Sequence, residues 1–231
     1  GLLRQSRLRV VAAMLKSLAR DARVPVALHL DHGSSFEQAV QCLREGFSSV
    51  MVDGSHLPFS ENVRLVANVV SVAGPLGVPV EGELGQIGGT EDLLDVAEEM
   101  AGLTDPETVE PFVKETGVTS LAVAIGTAHG IYRGEPKLRF DLLESINRLT
   151  SVLLVLHGGS GVPDTSIRRA ISLGINKINV ATELRVAYTR AAGRVLAPDE
   201  GNVLKVMAAA REAIRGVVRE KVRLFGSAGK G

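Results

Sequence analysis

The sequence predicts a parallel α/β fold of the (β/α)8 TIM-barrel type, and three observations lead there. Short apolar runs rich in β-branched residues alternate with amphipathic helical patterns along the whole chain, the pattern of parallel strands covered on both faces. Each run ends in polar or chemically reactive residues: His29 to His32, Asp53 to His56, Glu81 to Glu83, Gly126 with His129, His157, and Asn179. In a barrel such strand ends converge on one mouth, whereas in an open sheet the first and last would lie far apart. The turns after the last two runs are glycine-rich, and barrels commonly place a phosphate site there.

In chain order, residues 1–20 have a helical pattern and precede the first strand, 24–30 (VPVALHL). A helix over 36–46 stops at Gly46 and leads to a strand at 48–53, then a helix over 61–73 leads to a strand at 78–84. Segment 86–104 opens with glycines, is rich in acidic residues, and is read as a loop able to act as a lid. A helix over 106–116 starts near Pro106, stops at Gly117, and gives way to a strand at 118–125. The same alternation yields a helix at 140–149, a strand at 152–157, a helix at 164–173 and a last strand at 176–181. Helices at 183–196 and 203–224 close the chain. Six strands are two short of a barrel, so two βα units, roughly 50 residues at typical barrel sizes, are expected ahead of Gly1.

The 231 residues show no low-complexity linker and no shift in composition, which makes one domain. With 26 acidic and 26 basic side chains, the chain has no electrostatic footprint for nucleic acid or an anionic membrane. Aromatic residues are only 3% and Trp is absent, which argues against base stacking. The single Cys42 rules out a disulfide framework and suits a reducing cytoplasm. No apolar run approaches the roughly 20 residues of a membrane helix.

A lone histidine near a strand end is ordinarily a hydrogen-bonded structural residue. Here His32, His129 and His157 stand at successive strand ends, so in a barrel they would face one mouth. Three imidazoles with an open position are the usual arrangement of a catalytic zinc. Glu83, at a neighbouring strand end, is the carboxylate best placed to orient these rings or to serve a second metal position. His29 is read as a polar packing residue of the barrel interior, and His56, in a turn, takes no role. The stretch LHGGSGVPD, 156–164, joins a strand to a helix through a turn whose glycines let N–H groups approach an anion. Asn179, Ala181 and Thr182 would lie beside it, so a phosphorylated substrate reaching the metal follows.

The motifs LHLDHG, MVDGSH, VEGELGQIGGTED, AVAIGTAHGIY, LVLHGGSGVP and KINVATEL, in this order, resemble the class II, metal-dependent ketose-bisphosphate aldolases. That family includes the fructose-1,6-bisphosphate and tagatose-1,6-bisphosphate aldolases. The resemblance implies reversible cleavage of a ketose bisphosphate to dihydroxyacetone phosphate and glyceraldehyde 3-phosphate, and a homodimer or homotetramer. It implies zinc (Zn2+) on His32, His129 and His157, with Glu83 at a second position, and a monovalent cation, Na+ or K+, near the phosphate. It makes Asp31 the proton donor and acceptor at the C4 hydroxyl, and Glu91 the mobile-loop base at C3. Gly130, Gly158, Gly159, Ser160, Asn179, Val180, Ala181 and Thr182 fall at its dihydroxyacetone-phosphate site.

The chain departs from the family pattern in its N-terminal strands, in a shorter stretch between Ala197 and Asn202, and in NVATE, which leaves fructose and tagatose configuration open. Two other readings stay beside the aldolase. One is a barrel hydrolase with Asp31 activating a zinc-bound water, which the phosphate turn disfavours; the other is a non-catalytic sugar-phosphate-binding protein.

Overall fold

The structure, a computed structural model, describes residues 5–91, 94–96, 102–132, 134–196 and 202–230, with backbone alone for 5, 6, 90, 91 and 94–96. Its nine strands are β1 (His29–Gly33), β2 (Ser49–Val52), β3 (Val80–Leu84), β4 (Gly88–Glu91), β5 (Leu94–Val96), β6 (Ser120–Val123), β7 (Ala128–His129), β8 (Leu153–Leu156) and β9 (Ile175–Ile178). Its helices are α1 (Gln5–Asp21), α2 (Phe36–Arg44), α3 (Phe59–Ala73), α4 (Val109–Thr116), α5 (Phe140–Leu149), α6 (Asp164–Ser172), α7 (Thr182–Leu196) and α8 (Val203–Leu224). The main sheet runs β1-β2-β3-β6-β8-β9, every neighbouring pair parallel. No helix among the described residues is long and apolar enough to cross a membrane.

Strand alternation sorts the core into two parts. Val50, Val52, Leu121, Val123, Leu154 and Leu156 share one buried cluster with Val66, Val69, Ile146 and Ile167 of the covering helices. The intervening Met51, Ala122 and Val155 form a separate small cluster on the other face of the sheet. On β3 the outward position is Gly82, and a methyl group there would come within 3.0 Å of Phe112 Cε1. Phe112 fills that space with no exposed surface, and the alternation leaves Glu81 and Glu83 on the opposite face. Phe112→Ala is therefore expected to lower unfolding free energy by about 3–5 kcal/mol in denaturant titration.

Side chains of the first and last strands meet: Asn179, just past β9, donates from Nδ2 to Asp31 Oδ1 at 3.0 Å, and Lys177 Nζ lies 3.4 Å from His29 Nε2. The sheet is thus curled into a half-barrel. Among the described residues no backbone ladder joins β1 to β9.

Two expectations are corrected. The first strand lies at His29–Gly33, later than 24–30. Among the described residues this segment borders the sheet's edge strand, Pro25 has no N–H to give, and Val24 and Val26 remain 57% and 53% exposed. The segment read as an 86–104 loop contains β4 and β5, an antiparallel pair whose β4 also runs parallel to β7. Its polar, glycine-rich sequence hides this pairing, which joins Gly89 to His129.

Candidate metal and active site

His32 reaches the mouth through a local irregularity. The β1–β2 register shifts between Leu30 and Gly33, and His32 has φ of 45°, the one positive value at a described non-glycine residue. A bulge of this kind re-aims a side chain, and left-handed backbone at such a position costs on the order of 1 kcal/mol. His129 is carried by β7, and His157 follows β8 with no exposed surface. The three rings stand mutually edge-on, with centroids 5.1 Å apart for His32–His129, 4.6 Å for His32–His157 and 5.9 Å for His129–His157. One nitrogen from each lies within 4.8 Å of the others.

Carboxylates hold two of the rings from outside. His32 Nδ1 bonds Asp53 Oδ2 at 2.8 Å, and His157 Nε2 bonds Glu81 Oε1 at 2.9 Å. Their other nitrogens, His32 Nε2 and His157 Nδ1, face each other at 2.9 Å. Burial disfavours the His32 cation, but the bond to Asp53 and the nearby Glu83 and Asp31 outweigh it and raise its pKa to about 9. Burial dominates at His157 and lowers its pKa despite Glu81. Facing at hydrogen-bond distance, these two nitrogens converge on one spot, where a cation would take the place of a shared proton. Imidazoles converging inward with carboxylates behind them suit a transition metal such as zinc.

Glu83 is not among the three convergent imidazoles. It forms a second possible metal-holding group with His32 and Asp53, again within 4.8 Å. Its Oε2 is buried without a hydrogen-bond partner, 3.9 Å from His32 Nδ1. Burial first, then Asp53, push its pKa well above the usual carboxylate range. An orphaned carboxylate oxygen beside these groups fits a position for a cation.

Asp31 stands apart from both groups, with its side chain 43% exposed. Asn179 donates to it and also approaches His157 Nδ1 at 3.2 Å, linking it to the imidazoles. His29 is bonded to Ser49 through Nδ1 at 2.9 Å, in keeping with an interior polar residue. Lys177 Nζ bonds Glu81 Oε2 at 2.8 Å. Burial raises the Glu81 pKa, but His157 and Lys177 overcome it and bring it down to about 2.

The 158–160 turn sits between β7 and α7. Gly158 has φ of 67°, and a Cβ there would collide with the Ala128 carbonyl oxygen, so the turn requires glycine. The expectation that its amides converge on an anion changes in part: Gly159 N–H donates to Asn179 O at 3.0 Å and Gly161 N–H to Glu183 Oε1 at 2.7 Å. Ser160 is buried and accepts from Glu183 N–H at 3.2 Å. Val180, Ala181, Asp31 and Asn179 line one cleft, while Gly130, Ser160 and Thr182 line another. The Glu91 side chain lies outside the described residues, and His56 is exposed.

Sequence reading did not assign Asp53, Glu81 or Lys177. The available signal was period two: Glu81 and Glu83 flank Gly82 and share a face, so both had to point toward the mouth.

The family model for class II fructose-bisphosphate aldolase matches residues 2–230. The chain is 50% identical over 226 residues to a fructose-bisphosphate aldolase of Geobacillus stearothermophilus, covering 96% of this chain and 78% of that protein. It is 46% identical over 220 residues to a sulfofructosephosphate aldolase of Alkalicoccus urumqiensis, covering 94% and 77%. The crystal structure of the YdjI aldolase from Escherichia coli K12 superposes with a TM-score of 0.85 at 40% identity, covering 96% of this chain and 78% of that one. The polar cluster at the mouth of this half-barrel thus belongs to a chain of the class II fructose-bisphosphate aldolase family, whose members are lyases.

Proposed function

We propose that the chain carries out zinc-dependent, reversible aldol cleavage of a ketose 1,6-bisphosphate to dihydroxyacetone phosphate and glyceraldehyde 3-phosphate. The observation that supports it best is a three-imidazole cluster with Asp31 poised beside it but outside it. His32, His129 and His157 would hold the zinc ion, which when bound would supply Lewis-acid polarisation of the ketose carbonyl. Glu83, with His32 and Asp53, offers a second position. Asp31 takes the C4 hydroxyl proton, the C3–C4 bond breaks, and the aldehyde product forms. The electron pair left at C3 spreads toward the carbonyl, and Glu91 returns a proton to C3. In condensation Glu91 removes that proton and Asp31 gives one to the aldehyde oxygen. Asn179 holds Asp31 and offers its amide to substrate, while Gly130, the 158–160 turn and residues 179–182 receive the phosphate of the ketose half, with Na+ or K+ nearby.

The same reading makes the protein a cytoplasmic homodimer or homotetramer. Exposed apolar residues on α8, among them Leu204 at 78% and Met207 at 56%, favour association. It also makes the curled sheet part of a (β/α)8 barrel, a reading supported by the meeting of β1 and β9 side chains.

The test is release of triose phosphates from fructose 1,6-bisphosphate, tagatose 1,6-bisphosphate and sulfofructose phosphate, the last included because of the relative of that name. Cleavage of one of them, lost on chelation and restored by zinc, is the expected result. Silence with all three after zinc loading sinks the reading. Chelation is also expected to lower the thermal midpoint, since zinc at about 100 times its Kd stabilises the folded state by about 2.7 kcal/mol.

A further inference from the structure

The 158–161 turn is gripped from two sides by residues that take no part in the mechanism above. Tyr132 donates its hydroxyl hydrogen to Gly158 O at 2.9 Å and accepts from Ala128 N–H at 2.8 Å. Gly158 follows His157 and Ala128 precedes His129, so one phenol ties together the backbone beside two imidazoles. On the other side Glu183, in the first turn of α7, accepts from Gly161 N–H at 2.7 Å and gives its own N–H to Ser160 Oγ at 3.2 Å. Ser160 is thereby fixed as an acceptor toward Glu183, and its own hydrogen stays available for a ligand oxygen.

A carboxylate so close to a turn meant for a phosphate is a liability, because like charges repel across a partly dry site. Lys221 of α8 compensates it: its Nζ lies 2.8 Å from Glu183 Oε1, and both side chains are mostly shielded, at 15% and 29% exposure. The geometry points to Tyr132, Glu183 and Lys221 as a clasp of positioning residues that presets the 158–161 turn for phosphate and cancels the one negative charge among the groups gripping it. This rests on the proposed reading of the turn as a phosphate site.

Three variants of the full chain, loaded with zinc, test it by kinetics on the best ketose bisphosphate and by competition with inorganic phosphate. In Lys221→Met the methylene stem is kept and the Glu183 charge is left bare, so KM and the phosphate inhibition constant should both rise about 10-fold, with kcat and zinc content unchanged to within about twofold. Adding Glu183→Gln removes that charge and keeps an acceptor for Gly161, so the double variant should recover to within about threefold of the parent. A purely structural ion pair would show no such recovery. Tyr132→Phe should raise the same two constants by roughly fivefold, the size of one lost hydrogen bond. Unchanged KM and phosphate competition in both Lys221→Met and Tyr132→Phe overturn the clasp, as does a loss confined to kcat. Should the parent cleave no bisphosphate, the proposed function fails separately, and calorimetry with inorganic phosphate decides the clasp. At least fivefold weaker binding by Lys221→Met, by the same about 10-fold expectation, supports it; equal binding, or none by the parent, overturns it.

Discussion

Asp31→Asn is expected to keep its zinc and lose cleavage, with kcat falling by about 10²–10⁴. The carboxylate belongs to neither metal-holding group among the described residues. It sits at the mouth, 4.0 Å from His29 Nε2 and bonded to the Asn179 amide, with enough exposure to meet a substrate hydroxyl. Asparagine preserves an oxygen that can accept from Asn179, so the local packing survives. What disappears is a group able to take a proton and give it back. KM should stay near the parent value because Asp31 acts where charge moves, not where the phosphates are held. Zinc content measured on the same preparation decides the assignment. If zinc leaves together with activity, Asp31 is a ligand and the proton is moved by another residue.

Helical segments with strong periodicity were legible in the sequence: 140–149 and 203–224 coincide with α5 and α8. Their apolar positions recur on one face over several turns, a signal that survives without knowledge of neighbours. Strand β1 was misplaced because its limits depend on what lies beside it. VPVAL looks like a strand, yet its pairing starts only where Ser49 meets His29. The β4–β5 pair was invisible for a related reason, since the few residues of glycine, threonine and acid in β4 take their second ladder from β7, more than 30 positions further on.

The imidazoles were legible individually, each at a strand end, and the fold then brought His32, His129 and His157 together. Roles within the carboxylates were harder to separate. Asp53 follows β2 while Glu81 and Glu83 both lie within β3, and nothing local distinguishes an acid that would meet a metal from one that steadies an imidazole. Distances make the division: Glu81 is hydrogen-bonded to a ring nitrogen and one Glu83 oxygen has no partner, while Asp53 bonds His32 and also stands within metal-holding distance of Glu83.

That division gives the second large effect. Glu81→Gln should weaken zinc binding by about 10–100-fold, the usual result of losing the carboxylate behind a metal-bound histidine. The glutamine oxygen can still meet His157 Nε2, but without its charge the ring is a poorer electron donor and its orientation is less strongly enforced. Glu81 is also where Lys177 is neutralised, at 2.8 Å, so the substitution frees a cation near the imidazoles and opposes zinc further. Global stability should suffer less than the about 3–5 kcal/mol lost when one partner of a fully buried pair is removed, because Lys177 is 37% exposed and can turn to water. Lys177→Met separates the two contributions. It keeps the Glu81–His157 bond and removes only the countercharge, so its zinc affinity should stay closer to the parent than that of Glu81→Gln. Competition with a chelator of known affinity measures all three proteins. Equal zinc dissociation constants for parent and Glu81→Gln, with both folded, would mean that His157 is held by packing alone and that the buried carboxylate serves the fold instead of the metal.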